Sequence, residues 1–140
     1  MIAGIAGIAG IAVTAVIGGV RNMSLVQHDE LKDRTKQFAL RIVKLCRSLP
    51  QTREGDVFGR QLLRAGTSVA ANYRAAGRSR SKADFVSKIG VVVEEADETV
   101  FWLELLQESG LISAGRLGSL LDEANQLVAI FSASRRTAKA

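Results

Sequence analysis

A chain of 140 residues with one cysteine, one histidine and one proline suits a single domain with its own core; it cannot build a disulfide framework, and Cys/His zinc sites need more ligands. Ala, Leu, Arg, Glu and Lys dominate beyond the first twenty residues, which favours an all-helical chain, and the lone thiol fits a reducing cytoplasm. The net charge of +5 is modest but unevenly spread, with thirteen Lys/Arg against three acids from Arg34 to Lys88, then eight acids against Arg116 alone from Ile89 to Asn125. Such polarity serves nucleic-acid binding, or pairing between helices and between subunits.

Met1 to Val20 carries no charge and repeats Ile-Ala-Gly from Ile2, Ile5 and Ile8. Its length matches a membrane span of about 20 residues, but five glycines and five alanines leave it weakly hydrophobic. No positive stretch precedes it and no secretory cleavage pattern follows. Residues 1–22 are therefore expected to be an extension from an upstream start or a dispensable segment, with a membrane anchor as the alternative. Residues 23–134 form the expected bundle, and residues 135–140 a basic tail.

Four helical segments follow in order. Leu31, Phe38, Ile42, Leu45 and Leu49 recur at spacings of a one-faced helix, which Pro50 stops. After the loop 51–55, Asp56 is the expected N-cap of a second helix. It carries Phe58, Leu62, Ala65, Val69 and Tyr73 on one stripe and ends near Gly77. Ser81-Lys-Ala-Asp84 resembles a capping box opening the third helix, with Phe85, Ile89, Val92, Ala96, Leu103 and Leu106 inward and Gly110 just past its end. The fourth starts at Ser113, carries Leu117, Leu121, Ala124, Val128 and Phe131, and is expected to fray from Ser134. Four amphipathic helices with short connections predict an antiparallel up-down-up-down four-helix bundle.

Three surface features stand out. Gln61, Ser68 and Asn72 edge the apolar stripe of the second helix with Arg64 just outside, a pattern expected to make interhelical hydrogen bonds and fix register. Arg60, Arg74 and Arg78 fall on an outward strip that Arg80, Lys82 and Lys88 extend beyond the turn, and outward arginines can hold phosphates. Phe101 points outward and Trp102 flanks the third helix; two large aromatics off the core suggest an oligomer interface. The alternative use of the basic strip is a solvated face or subunit salt bridges.

No catalytic constellation emerges. Glu94-Glu-Ala-Asp-Glu98 reads E-E-x-x-E, half of the metal-binding signature of all-helical Mg²⁺-dependent nucleoside-triphosphate pyrophosphohydrolases. The second half of that signature is missing, so an acidic surface is expected instead. His28 lies in a lead-in expected to be mobile, Ser68 has no histidine partner in its helix, and Cys46 sits beside an apolar stripe where a thiolate is disfavoured. Neither an enzyme, a cofactor, a metal site nor a small-molecule substrate is expected.

The runs Gln61–Ala76, Ser79–Phe85 and Glu94–Glu104 together resemble the bacterial four-helix-bundle family named for small proteins encoded within intervening sequences of 23S ribosomal RNA genes. It is related to the accessory protein of diversity-generating retroelements. The likeness covers roughly residues 30–132 and leaves the Ile-Ala-Gly repeat outside. The resemblance implies a homopentameric ring. It also implies a positive surface for RNA or DNA and for a protein partner such as a reverse transcriptase, carried here by Arg60, Arg74, Arg78, Arg80, Lys82 and Lys88. A purely structural or protein-interaction module is the other reading.

Overall fold

The computed structural model describes residues 25–140, and the expectations for residues 1–22 lie outside them. Four helices account for nearly all of it: α1 (Leu25–Arg47), α2 (Arg53–Ala76), α3 (Lys82–Glu108) and α4 (Ala114–Lys139). Among the described residues there is no strand, and no helix is long and apolar enough to cross a membrane.

The helix ends follow local chemistry. Thr52, not Asp56, caps α2: its extended backbone lets Oγ1 accept from Gly55 N–H at 3.0 Å, while Glu54 and Asp56 fall in the first turn, where the helix dipole favours acids. The early start needs Gly55, because a Cβ there would lie 2.3 Å from the Pro50 carbonyl oxygen. Ser81 caps α3 by accepting from Asp84 N–H. The Asp84 carboxylate then reaches back to the N–H of Arg80, one residue before the cap, so the expected box closes one position early. Gly110 takes φ +78 just beyond α3, the left-handed conformation that ends a helix at little cost for glycine. Ser113 stands at the N-cap position of α4 but makes no side-chain cap bond. Fraying from Ser134 is not what the structure has: α4 continues to Lys139, with Ser134 and Ala138 buried.

Residue pairs between helices run in opposite order. Gly77 lies against His28, Gly66 against Ile42 and Gly59 against Leu49, so α1 and α2 are antiparallel. Arg64 meets Glu95 and Glu98 while Phe58 meets Trp102, so α2 and α3 are too. Gly90 under Arg135 and Lys82 against the Ala140 carbonyl give α3 and α4 the same relation. Sequence neighbours pack closely, whereas the α1–α4 seam is sparse. Polar bonds hold that seam. Arg34 Nε and Nη2 donate to the two Glu123 carboxylate oxygens at 2.7 Å each, Arg41 donates to Ser119, and Arg116 to Ser48. A fork of this kind, part-buried, contributes on the order of 1 kcal/mol.

The core is almost entirely apolar. Phe38, Ile42, Leu62, Val69, Phe85, Ile89, Leu103, Leu106, Leu117, Leu127 and Phe131 are buried, and the Tyr73 and Phe131 rings meet across it at 4.9 Å. The buried hydroxyls of Thr35, Thr99 and Ser134 bond carbonyls of their own helices, and no buried side-chain polar atom lacks a partner among the described residues.

Candidate nucleic-acid interface

Antiparallel packing brings the N-terminus of α1, the α2–α3 turn and the C-terminus of α4 to one end of the bundle. Lys32 and Lys36 of α1, Arg74 and Arg78 of α2, Arg80 and Lys82 of the turn, Lys88 of α3 and Arg135, Arg136 and Lys139 of α4 all belong to it. A groove of about 610 Å³ between α1 and α2 has Lys32, Lys36, Arg74 and Arg78 around Thr67, Ala70 and Ala71, with Asp29 and Asp33 as its acids. Arg78 also lines a second groove with Arg80, Asp84 and Lys88, so it joins the two.

Some of these charges are spoken for. Lys88 pairs with Asp84 at 3.0 Å, and this bond, with the Arg80 N–H, holds the Asp84 carboxyl below its ordinary pKa. Lys32 reaches Asp29 at only 3.8 Å, and Lys82 donates to the Ala140 carbonyl. Among the described residues Lys36, Arg74, Arg78, Arg80, Arg136 and Lys139 have no ion pair.

Arg60 does not belong to this cluster. It stands about 20 Å along α2 from Arg74 at 1.5 Å per residue and lines a different groove with Arg47, Leu49 and Leu63. The expected strip therefore divides, with five of its six residues at one end. Lys32 and Lys36, which no sequence motif marks, join them, as do Arg135, Arg136 and Lys139 of the basic tail. The i,i+4 spacing of Lys32 and Lys36 is the available signal; the tail cations reach this end because α4 continues to Lys139 instead of fraying.

The polar edge of α2 differs from expectation. Asn72 donates to the Ser68 carbonyl within its own helix, and neither Gln61 nor Ser68 bonds another helix. Arg64 makes the interhelical link, because it lies on the α3 side of the stripe and its long side chain spans to Glu95 at 3.2 Å and to Glu98. Trp102 Nε1 also donates to Glu98; these two bonds, the tryptophan's first, depress the Glu98 carboxyl and leave it ionised. The E-E-x-x-E run is thus partly an intramolecular partner of Arg64, and no three acidic, Cys or His side chains gather at a metal-sized site among the described residues. Phe101 is 51% exposed, as expected, while Trp102 is partly buried against the core and its ring meets Phe58 of α2 at 5.9 Å.

His28 is not in a mobile lead-in. It sits in α1, its Nδ1 3.0 Å from the Tyr73 hydroxyl, and the glycine at position 77 leaves room for the ring, since a Cβ there would lie 2.6 Å from Nε2. Burial and nearby Lys32 lower the imidazole pKa below 6.5, and burial raises that of Tyr73, so the contact joins a neutral ring to a protonated phenol. The folded state takes up the proton less readily than the unfolded chain. Its stability is therefore full above about pH 6.5 and declines as pH falls from there through the lower folded value. Thermal melts should lose midpoint temperature between pH 7 and pH 5, and His28→Gln should flatten that decline. Cys46 donates to the Gly59 carbonyl, and burial pushes its thiol pKa up, which keeps it protonated and unreactive.

The profile of the 23S rRNA-intervening sequence protein family matches residues 28–133. The chain belongs to that family. A solved structure from Bacteroides thetaiotaomicron, titled as a protein of unknown function from the S23 ribosomal protein family, is similar over 78% of this chain and 97% of its own, with 33% identity and a TM-score of 0.72. No curated protein matches the chain. The family match begins at His28 and ends at Ala133, so it includes the His28–Tyr73 contact and most of the basic end, and it stops before Arg135, Arg136 and Lys139.

Proposed function

We propose that this family member is a non-enzymatic, self-associating bundle that binds structured RNA through its basic end. The observation that carries the reading is the convergence of cations from all four helices on one end, with Lys36, Arg74, Arg78, Arg80, Arg136 and Lys139 free of any ion pair among the described residues. Half of these cations are arginines (Arg74, Arg78, Arg80, Arg135, Arg136), whose planar fork matches phosphate oxygens. Among the described residues no exposed Phe, Tyr or Trp ring stands among these cations to stack on unpaired bases, which favours recognition of a folded RNA by backbone and shape. The reading rests on these side chains, not on the family's name. Self-association is supported by the exposed Phe101 and the acidic α3 surface.

Anisotropy titrations with a labelled RNA hairpin across a salt series test the RNA reading. Engagement of about six phosphates gives a slope of log affinity on log salt of about −4 to −5. A duplex DNA of equal length, run alongside, shows whether the 2′-hydroxyls matter. Absence of binding at low salt, or affinity indifferent to salt, overturns the proposal and leaves a structural or protein-interaction module.

A further inference from the structure

We propose that the groove between the end of α1 and the first half of α2 receives the Phe101 ridge of a second copy of this chain. The proposal rests on the self-association reading above and supplies the acceptor surface it lacks. On the donor side, Asp97, Phe101, Glu104 and Glu108 are exposed at helical spacings of three and four along α3. Phe101 is half exposed yet not loose, because its ring stands edge-on to Trp102 at 4.9 Å and Trp102 in turn leans on Phe58. The three acids beside it have no ion pair among the described residues.

The acceptor has the opposite character. The groove, of about 320 Å³, presents Leu49, Gly59 and Leu63 between Arg47 and Arg60, with Asp56 as its acid. Leu63 is 38% exposed, and the Arg47 and Arg60 guanidiniums have no ion pair among the described residues. Gly59 keeps the groove open, since it contributes no side chain. A projecting aromatic flanked by acids thus has a matching apolar recess flanked by arginines.

Position along the bundle makes the match geometric as well. The Phe58–Trp102 contact puts Phe101 at the level of residue 58 of α2, and the groove is built from the same stretch of α2, Gly55 to Leu63. Rotation about an axis parallel to the helices leaves height unchanged, so ridge and groove meet without sliding one copy past the other. Because the two patches differ, each copy uses both and the contact repeats from copy to copy, giving a ring where the rotation closes and an open row where it does not. The basic end lies beyond this contact and stays open.

Disulfide trapping tests the assignment in the full chain with Cys46→Ser as background. Asp56→Cys beside the groove and Glu104→Cys beside the ridge are both at exposed positions and leave Leu63 and Phe101 in place, and unchanged helical circular dichroism checks the fold. Mild oxidation of the double-cysteine chain should give a ladder beyond dimers on non-reducing gels, and neither single-cysteine chain should cross-link. A dimer from Glu104→Cys alone overturns the proposal in favour of a two-fold contact. A parent chain that sediments as an oligomer but yields no ladder overturns the groove while leaving self-association standing. A parent chain that sediments as a monomer overturns both. As a second measurement, Phe101→Asp and Leu63→Asp should each sediment as monomers, and their mixture should form a one-to-one pair through the one intact ridge and the one intact groove. Absence of that pair from two folded monomers overturns the heterologous match.

Discussion

Reversing charge at Arg74 and Arg78 together is expected to remove RNA binding at physiological salt and leave the melting temperature nearly unchanged. Both side chains are exposed, neither has an ion pair among the described residues, and neither packs in the core. The substitutions Arg74→Glu and Arg78→Glu delete two phosphate contacts and place two repelling carboxylates at the junction of the two basic grooves. Charge-assisted bonds contribute about 1.5–3 kcal/mol each, so the loss is on the order of 100-fold or more. The salt slope of any residual binding should shrink by about 2. The same reversal at Arg60, outside the cluster, should cost little RNA affinity. Equal losses at Arg60 and at Arg74 with Arg78 would show that net charge, not the basic end, sets binding.

The second large effect concerns packing. At position 66 an added methyl would come 2.8 and 2.9 Å from Cγ1 and Cγ2 of Ile42, which is fully buried. Gly66→Ala gains up to about 1 kcal/mol from helix propensity, yet overpacking of a filled core costs about 1–3 kcal/mol, so net destabilisation is expected. Ile42→Ala alone should cost about 2–5 kcal/mol. The double variant should cost less than the sum by more than about 1 kcal/mol, because the new methyl enters the space that Ile42 vacates. Urea unfolding of the four chains measures the cycle; strict additivity would mean that α1 and α2 separate freely at this point.

The bundle was legible because burial imposes a period. Phe38, Ile42, Leu62, Val69, Ile89 and Leu103 all lie on stripes that the sequence displays, and all are buried. Helix ends were less legible, since Thr52 and Asp56 are both good caps and only the approach of Gly55 to the Pro50 carbonyl selects the earlier one. Pairings between helices were the least legible. Arg64 and Asn72 look equally able to cross to a neighbour, but reach and helix rotation send the arginine to Glu95 and Glu98 and return the amide to the Ser68 carbonyl. His28 shows no partner in its own segment, because Tyr73 lies 45 residues away. The basic end was half visible for the same reason: its α2 and α3 cations are near in sequence, while those of α1 and α4 arrive by folding.

The sparse α1–α4 seam has a consequence for assembly during synthesis. Each successive pair of helices forms a hairpin from neighbouring sequence, which α1 with α2, and then α3, can begin while the rest is still being made. The Arg34–Glu123, Arg41–Ser119 and Arg116–Ser48 bonds span 89, 78 and 68 residues, and none can form until α4 has emerged. Closing the bundle is therefore left to polar bonds that can form, break and reform in water, after the apolar hairpins have set the shape.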